Sequence, residues 1–148
     1  MENLSQVGVS EFIPHKFPVK MVDSILEWND EKKTSIVSGC VCADSPFVNS
    51  QGVIDNECFL EIIAQAAAAQ HGFNLFRKEK PEEQGFIAGV NYLNVYDSIV
   101  VDIPFKVKVE CGTEISSLSV VNGKVFDKNG KLKAEAAITV WHGKLHKN

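Results

Sequence analysis

The sequence predicts an α+β domain in which a curved antiparallel sheet wraps one long helix. Three observations carry this. A single long apolar stretch, roughly residues 56–77, has helical character. Strand-like segments lie on both sides of it, in the order β-β-helix-β-β-β-β. One of them, "VDIPFKVKVEC", alternates apolar and polar residues with period two. A lone helix among long strands has only the sheet to bury itself against. The 148 residues suit one domain, 1–148, large enough to enclose a core. No internal repeat or low-complexity linker divides it.

The elements follow in order. In "EFIPHKFPVKMVD", Pro14 and Pro18 bracket His15 and forbid a continuous helix. "KMVDSILEWN" reads as a strand that turns at Asn29-Asp30, and "KKTSIVSGCVCA" as a second, rich in β-branched residues. "DSPFVNSQG" is a loop by composition. The helix is expected from about Asn56 to Arg77, with Asp55 or Asn56 as its cap and basic Arg77 and Lys78 at its C-terminal end. "KEKPEEQG" connects it to "GFIAGVNYLNVYD", a strand. In "VDIPFKVKVEC", Val101, Ile103, Phe105, Val107, Val109 and Cys111 share one face. Pro104 falls on the other, which suggests an edge or a bulge there. "SSLSVVNGKVFD" and "KLKAEAAITVWHG" flank "DKNG", a hairpin signal.

Composition excludes several classes of function. Net charge is -4 and no basic stripe is present, which argues against nucleic acid as a partner. No apolar run approaches the ~20 residues of a membrane span. The polar opening "MENLSQVGVSEF" lacks a signal-peptide core, so a soluble cytoplasmic protein is expected. Cys40, Cys42, Cys58 and Cys111 form no C-x-x-C pair, and no Cys/His cluster has zinc spacing. They read as small hydrophobes in a reducing compartment. No cofactor and no metal is expected.

The helix holds an anomaly. Phe59, Ile62, Ile63, Ala66 and Phe73 cluster on one face, and Glu61, Gln65, Ala68 and Gly72 form a second stripe. With no broadly charged face, the helix is expected to be buried nearly all round. Glu61 and Gln65 are then polar groups at i, i+4 in a dry element. A buried carboxylate is costly unless paired, and such groups often mark functional sites. Glu61 could also reach solvent, a dimer seam or a neighbouring strand. Gln65 reads as a structural hydrogen-bonder in either case. Glu57 complements the helix dipole.

Three blocks carry a resemblance. "IPHKFPVKMVD", "FLEIIAQAAAA" and "FIAGVNYLNVY" resemble, in order and spacing, the opening, the helix and the following strand of the 3-hydroxyacyl-acyl-carrier-protein dehydratases of the FabA/FabZ superfamily. The resemblance implies the hotdog fold, a curved antiparallel sheet around one long helix, paired into a dimer with sites at its interface. It implies dehydration of a 3-hydroxyacyl thioester to the trans-2-enoyl thioester, with a base for the proton beside the carbonyl and an acid for the departing hydroxyl. Carried over, Glu61 holds the position of the catalytic helix carboxylate. Asn56 holds the helix-start position whose backbone N–H polarises the thioester. A tunnel along the helix would be lined by Phe59, Ile62, Ile63 and Phe86.

This sequence departs from the family at one point. The family's catalytic His lies in the loop before the helix, whereas "DSPFVNSQGVIDN" is shorter and has no His. A divergent branch found in aryl-polyene-type pigment clusters is closer in this loop. His15 is the candidate replacement base; as a loop residue it could equally be structural. His71 lies about 15 Å along the helix from Glu61, too far for a tight pair within one chain. His142 and His146 are expected at the solvated C-terminal edge, and Asp23 as a strand-end hydrogen-bonder.

Three functions compete. The first is a dehydratase with Glu61 as acid and His15 as base, favoured by the opening block. The second is a hotdog thioesterase in which Glu61 activates water or attacks the thioester, with Gln65 positioning the water. The third is an inactive acyl-carrier-binding subunit paired with an active paralogue, favoured by the missing loop His. The partners implied are an acyl carrier protein or a CoA thioester, and a homo-oligomer or a heterodimer.

Overall fold

The computed structural model describes residues 2–144, with side chains from residue 7 onward. His146 lies outside them. Its strands are β1 (Glu2–Gly8), β2 (Val22–Asn29), β3 (Thr34–Gly39), β4 (Gln84–Val95), β5 (Phe105–Cys111), β6 (Leu118–Asp127) and β7 (Leu132–Gly143), with one helix, α1 (Cys58–Arg77), between β3 and β4. All pairings are antiparallel, in the order β1-β2-β3-β5-β6-β7-β4. The helix touches β2 through β7. A sheet that meets one helix with so many strands must curve around it, as the sequence predicts.

Four details differ from expectation. β1 was unforeseen, because "ENLSQVG" has no apolar alternation; it joins the sheet through backbone pairing with β2. β3 stops at Gly39, so Cys40 and Cys42 lie beyond it. Gly39 packs so closely against the Met21 carbonyl and the Phe105 ring that a side chain there would collide. β5 begins only at Phe105 and is central, not an edge. Pro104 cannot donate to a ladder, so it precedes the strand, and Val101 and Ile103 belong to the loop ahead of it. The helix starts at Cys58, two residues later than predicted. Its N-cap is Glu57, with no side-chain cap; the Asp55 carbonyl instead accepts from the Cys58 N–H (3.0 Å).

The "DKNG" hairpin forms as predicted. The Asp127 carboxylate accepts from the Asn129 and Lys131 N–H groups, and Gly130 takes φ +83°. The core brings Phe59, Ile62, Ile63, Ala66 and Phe73 of the helix against Ile25, Val37, Val107, Val125 and Ile138 of the sheet. The helix also meets the turn that follows β1. A Cβ on Gly72 would lie 2.7 Å from the Phe12 carbonyl oxygen. Alanine favours a helix by up to ~1 kcal/mol over glycine. Because the obstacle is backbone, we expect Gly72→Ala nonetheless to destabilise the fold, by about 1–3 kcal/mol in urea titration. Unchanged or raised stability would show that the Phe12 turn yields freely.

Candidate functional site

The site is built where the proline-framed loop before β2 crosses the first turns of α1. The loop is folded on itself, with the Lys16 carbonyl accepting from the Val19 and Lys20 N–H groups. Its attachment to the helix is Gln65, which is fully buried. The Gln65 Oε1 accepts from the Met21 N–H (2.7 Å), while Nε2 donates to the Val19 carbonyl (2.9 Å) and to Glu61 Oε1 (3.0 Å). One amide side chain thus holds the loop to the helix and orients the carboxylate one turn before it.

His15 completes the constellation. Its Nε2 lies 3.4 Å from Glu61 Oε1, the two side chains being 28% and 29% exposed. The structure therefore brings His15 and Glu61 together within one chain, with Glu61 half-buried rather than sealed. The Nδ1 of His15 is buried and, among the described residues, has no hydrogen-bond partner. Asn56 lies just over a turn before Glu61 and is exposed. Among the described residues, no acceptor takes the Asn56 or Glu57 N–H, whereas those of Cys58, Phe59 and Leu60 bond back to residues 55–57.

Other expected residues are placed differently. Phe59 and Ile62 are sealed in the core and offer a ligand no surface in the single chain. Phe86 is 61% exposed on β4 and stacks on Trp141 (centroids 5.1 Å apart), away from that core. Gln65 is a positioning residue, since all its polar atoms are engaged by protein. His142, expected at solvent, is turned inward with its side chain 12% exposed, beside His71 and Glu83. Its partners come from distant segments, which no sequence spacing signals.

Cys58 sits in the first helical turn, where a thiolate would gain from the dipole. Burial, aided by the charges of Glu61 and Asp55, pushes its pKa up to about 12. The Sγ instead contacts the Met21 sulfur at 3.4 Å. Reactivity needs thiolate, so at pH 8 Cys58 is expected to resist iodoacetamide in the native protein and to react once guanidinium unfolds it; peptide mass spectrometry reads both states. Rapid native labelling of Cys58 would contradict this assignment. We further expect Gln65→Leu to cost about 1–3 kcal/mol for each buried group left unpaired, measured by chemical denaturation.

Comparison with known proteins places the chain in a family. A family model described as ApeP-like, ApeP dehydratase, matches residues 7–147. The 3-hydroxyacyl-[acyl-carrier-protein] dehydratase FabZ of Streptococcus mutans serotype c is 25% identical over 135 residues, spanning 88% of this chain and 92% of its own length. Among solved structures, the dehydratase heterocomplex ApeI:P from Xenorhabdus doucetiae has a TM-score of 0.82 at 15% identity, covering 93% of this chain and 92% of that one. A hypothetical thioesterase with coenzyme A from Streptococcus pneumoniae has a TM-score of 0.60 at 13% identity, covering 83% and 87%. These likenesses establish the hotdog fold. With the family model spanning nearly the whole sequence, the chain belongs to the ApeP-like dehydratase family.

Proposed function

We propose that this protein dehydrates a 3-hydroxyacyl thioester to the trans-2-enoyl thioester, with His15 and Glu61 as its proton-transfer pair. The observation that carries this is their 3.4 Å approach in a chain of a dehydratase family that lacks the loop His. His15 Nε2 takes the proton from the carbon beside the thioester carbonyl. The C3–O bond breaks as Glu61 passes a proton to the departing hydroxyl, which leaves as water. His15 then returns its proton to Glu61 across the short gap, restoring both groups. The N–H groups of Asn56 and Glu57 supply donors for the thioester oxygen as negative charge builds there. Gln65 keeps Glu61 aimed throughout.

The substrate is carried by an acyl carrier protein, as the name of the FabZ relatives suggests, or by CoA. The protein works in the cytoplasm as part of an oligomer. A heterodimer with a paralogue is supported by the ApeI:P heterocomplex and by β4, a 12-residue edge strand exposing Phe86, Val90 and Tyr92. The partnerless Nδ1 of His15 also fits a site that a second molecule completes. An inactive subunit supporting an active paralogue is the second reading, favoured by the missing loop His.

The test supplies 3-hydroxyacyl and enoyl thioesters on carrier protein to this chain, alone and with its paralogue. Glu61→Gln and His15→Ala are each expected to lower kcat by about 10²–10⁴-fold, the range of general acid–base catalysis. Dehydration that survives both substitutions in the complex would assign the chemistry to the partner. Release of free thiol without dehydration would instead establish a thioesterase.

A further inference from the structure

A second cluster lies outside the His15–Glu61 site, where the later turns of α1 approach the β4–β7 edge. His71 comes from the helix, Glu83 from the residue before β4, and His142 from the end of β7, opposite Gly85 in the ladder. Glu83 Oε2 lies 3.4 Å from His71 Nε2 and 2.8 Å from His142 Nδ1. One ligand atom from each of the three residues lies within 4.8 Å of the others. The imidazole rings are 4.3 Å apart and tilted by 51°. Beyond them, His142 Nε2 faces Glu114 Oε2 at 3.3 Å.

We propose that His71, Glu83 and His142 bind a divalent transition-metal ion of the zinc class, with Glu114 orienting His142. The donor set, two imidazole nitrogens and a carboxylate, suits such an ion. In a tetrahedral site with bonds of 2.0–2.1 Å, donor atoms sit ~3.3 Å apart. The His71–Glu83 separation already matches. The His142–Glu83 pair needs to open by only about half an ångström as the ion replaces the proton they share. With its proton on Nε2, 3.3 Å from the Glu114 carboxylate, His142 would donate to Glu114 and turn the Nδ1 lone pair to the ion; carboxylate–histidine–metal relays are built this way. Three protein donors would leave the fourth position of a tetrahedral ion to water or another ligand. The ion would tie the helix to the sheet edge independently of the dehydratase reading.

The experiment uses the full chain, stripped by chelator and titrated with Zn²⁺ calorimetrically and with Co²⁺ by visible absorption. We expect one equivalent bound with micromolar or tighter Kd, a four-coordinate cobalt spectrum and a raised Tm. His71→Ala and His142→Ala should abolish the spectrum. Glu114→Gln should weaken binding by about 10–100-fold, and His15→Ala should leave it unchanged. No saturable binding would overturn the proposal and leave a proton-linked cluster. Binding that survives His71→Ala or is lost in His15→Ala would overturn it too. If His142→Ala fails to fold, the wild-type spectrum and the Glu114→Gln titration decide.

Discussion

A single helix with no second helix to lean on can bury itself only if the sheet curves around it. That constraint governs the rest of this molecule. Helix α1 is apolar or small-residued nearly all round, so β2 to β7 all come to meet it. Close approach demands missing side chains on both sides: Gly123 of β6 would collide with Ile63 if it carried a Cβ, as Gly72 would with Phe12. Every polar group on such a helix must then find its partner in another segment. Gln65 is met by the loop before β2. Gln70 accepts from the Ser35 hydroxyl and donates to the Lys33 carbonyl. His71 meets Glu83, and Glu61 meets His15.

These pairings differ in what they can do. Gln65 and Gln70 are wholly buried and both amide ends of each are bonded to protein, so they fasten loops and strands to the helix. His15 and Glu61 are half-open and only loosely joined, so a substrate could come between them and water could leave. Cys58 shows the opposite outcome at a position that looks favourable for chemistry: the dipole of the helix start is outweighed by burial and by neighbouring carboxylates. Exposure, more than residue type, separates the polar groups of this helix that a substrate could reach from those it could not.

Much of the fold was legible in the sequence because its signals are local. The alternation of Phe105, Val107 and Val109 marked β5, the Asp127–Gly130 turn marked the last hairpin, and the apolar run to Arg77 marked the helix. Motif order identified the family and singled out Glu61. What misled was also local. β1 carries no amphipathic pattern, since an edge strand needs only backbone partners on one side. Capping propensity at Asp55 and Asn56 did not predict a helix that starts on backbone turns instead.

The sequence by itself determined that one helix would sit in one sheet, and that a carboxylate and an amide one turn apart would lie on it. Those are consequences of residue period and composition, which a linear chain displays directly. Only the tertiary structure decided what faces them. That His15 reaches Glu61 within the same chain depends on how a proline-framed loop is fastened by Gln65. That Phe59 and Ile62 are sealed while Phe86 is exposed depends on the curvature of the sheet. The convergence of His71, Glu83, Glu114 and His142 depends on four segments meeting at one edge. Contacts between residues far apart in the chain are set by packing, and no spacing along the sequence records them.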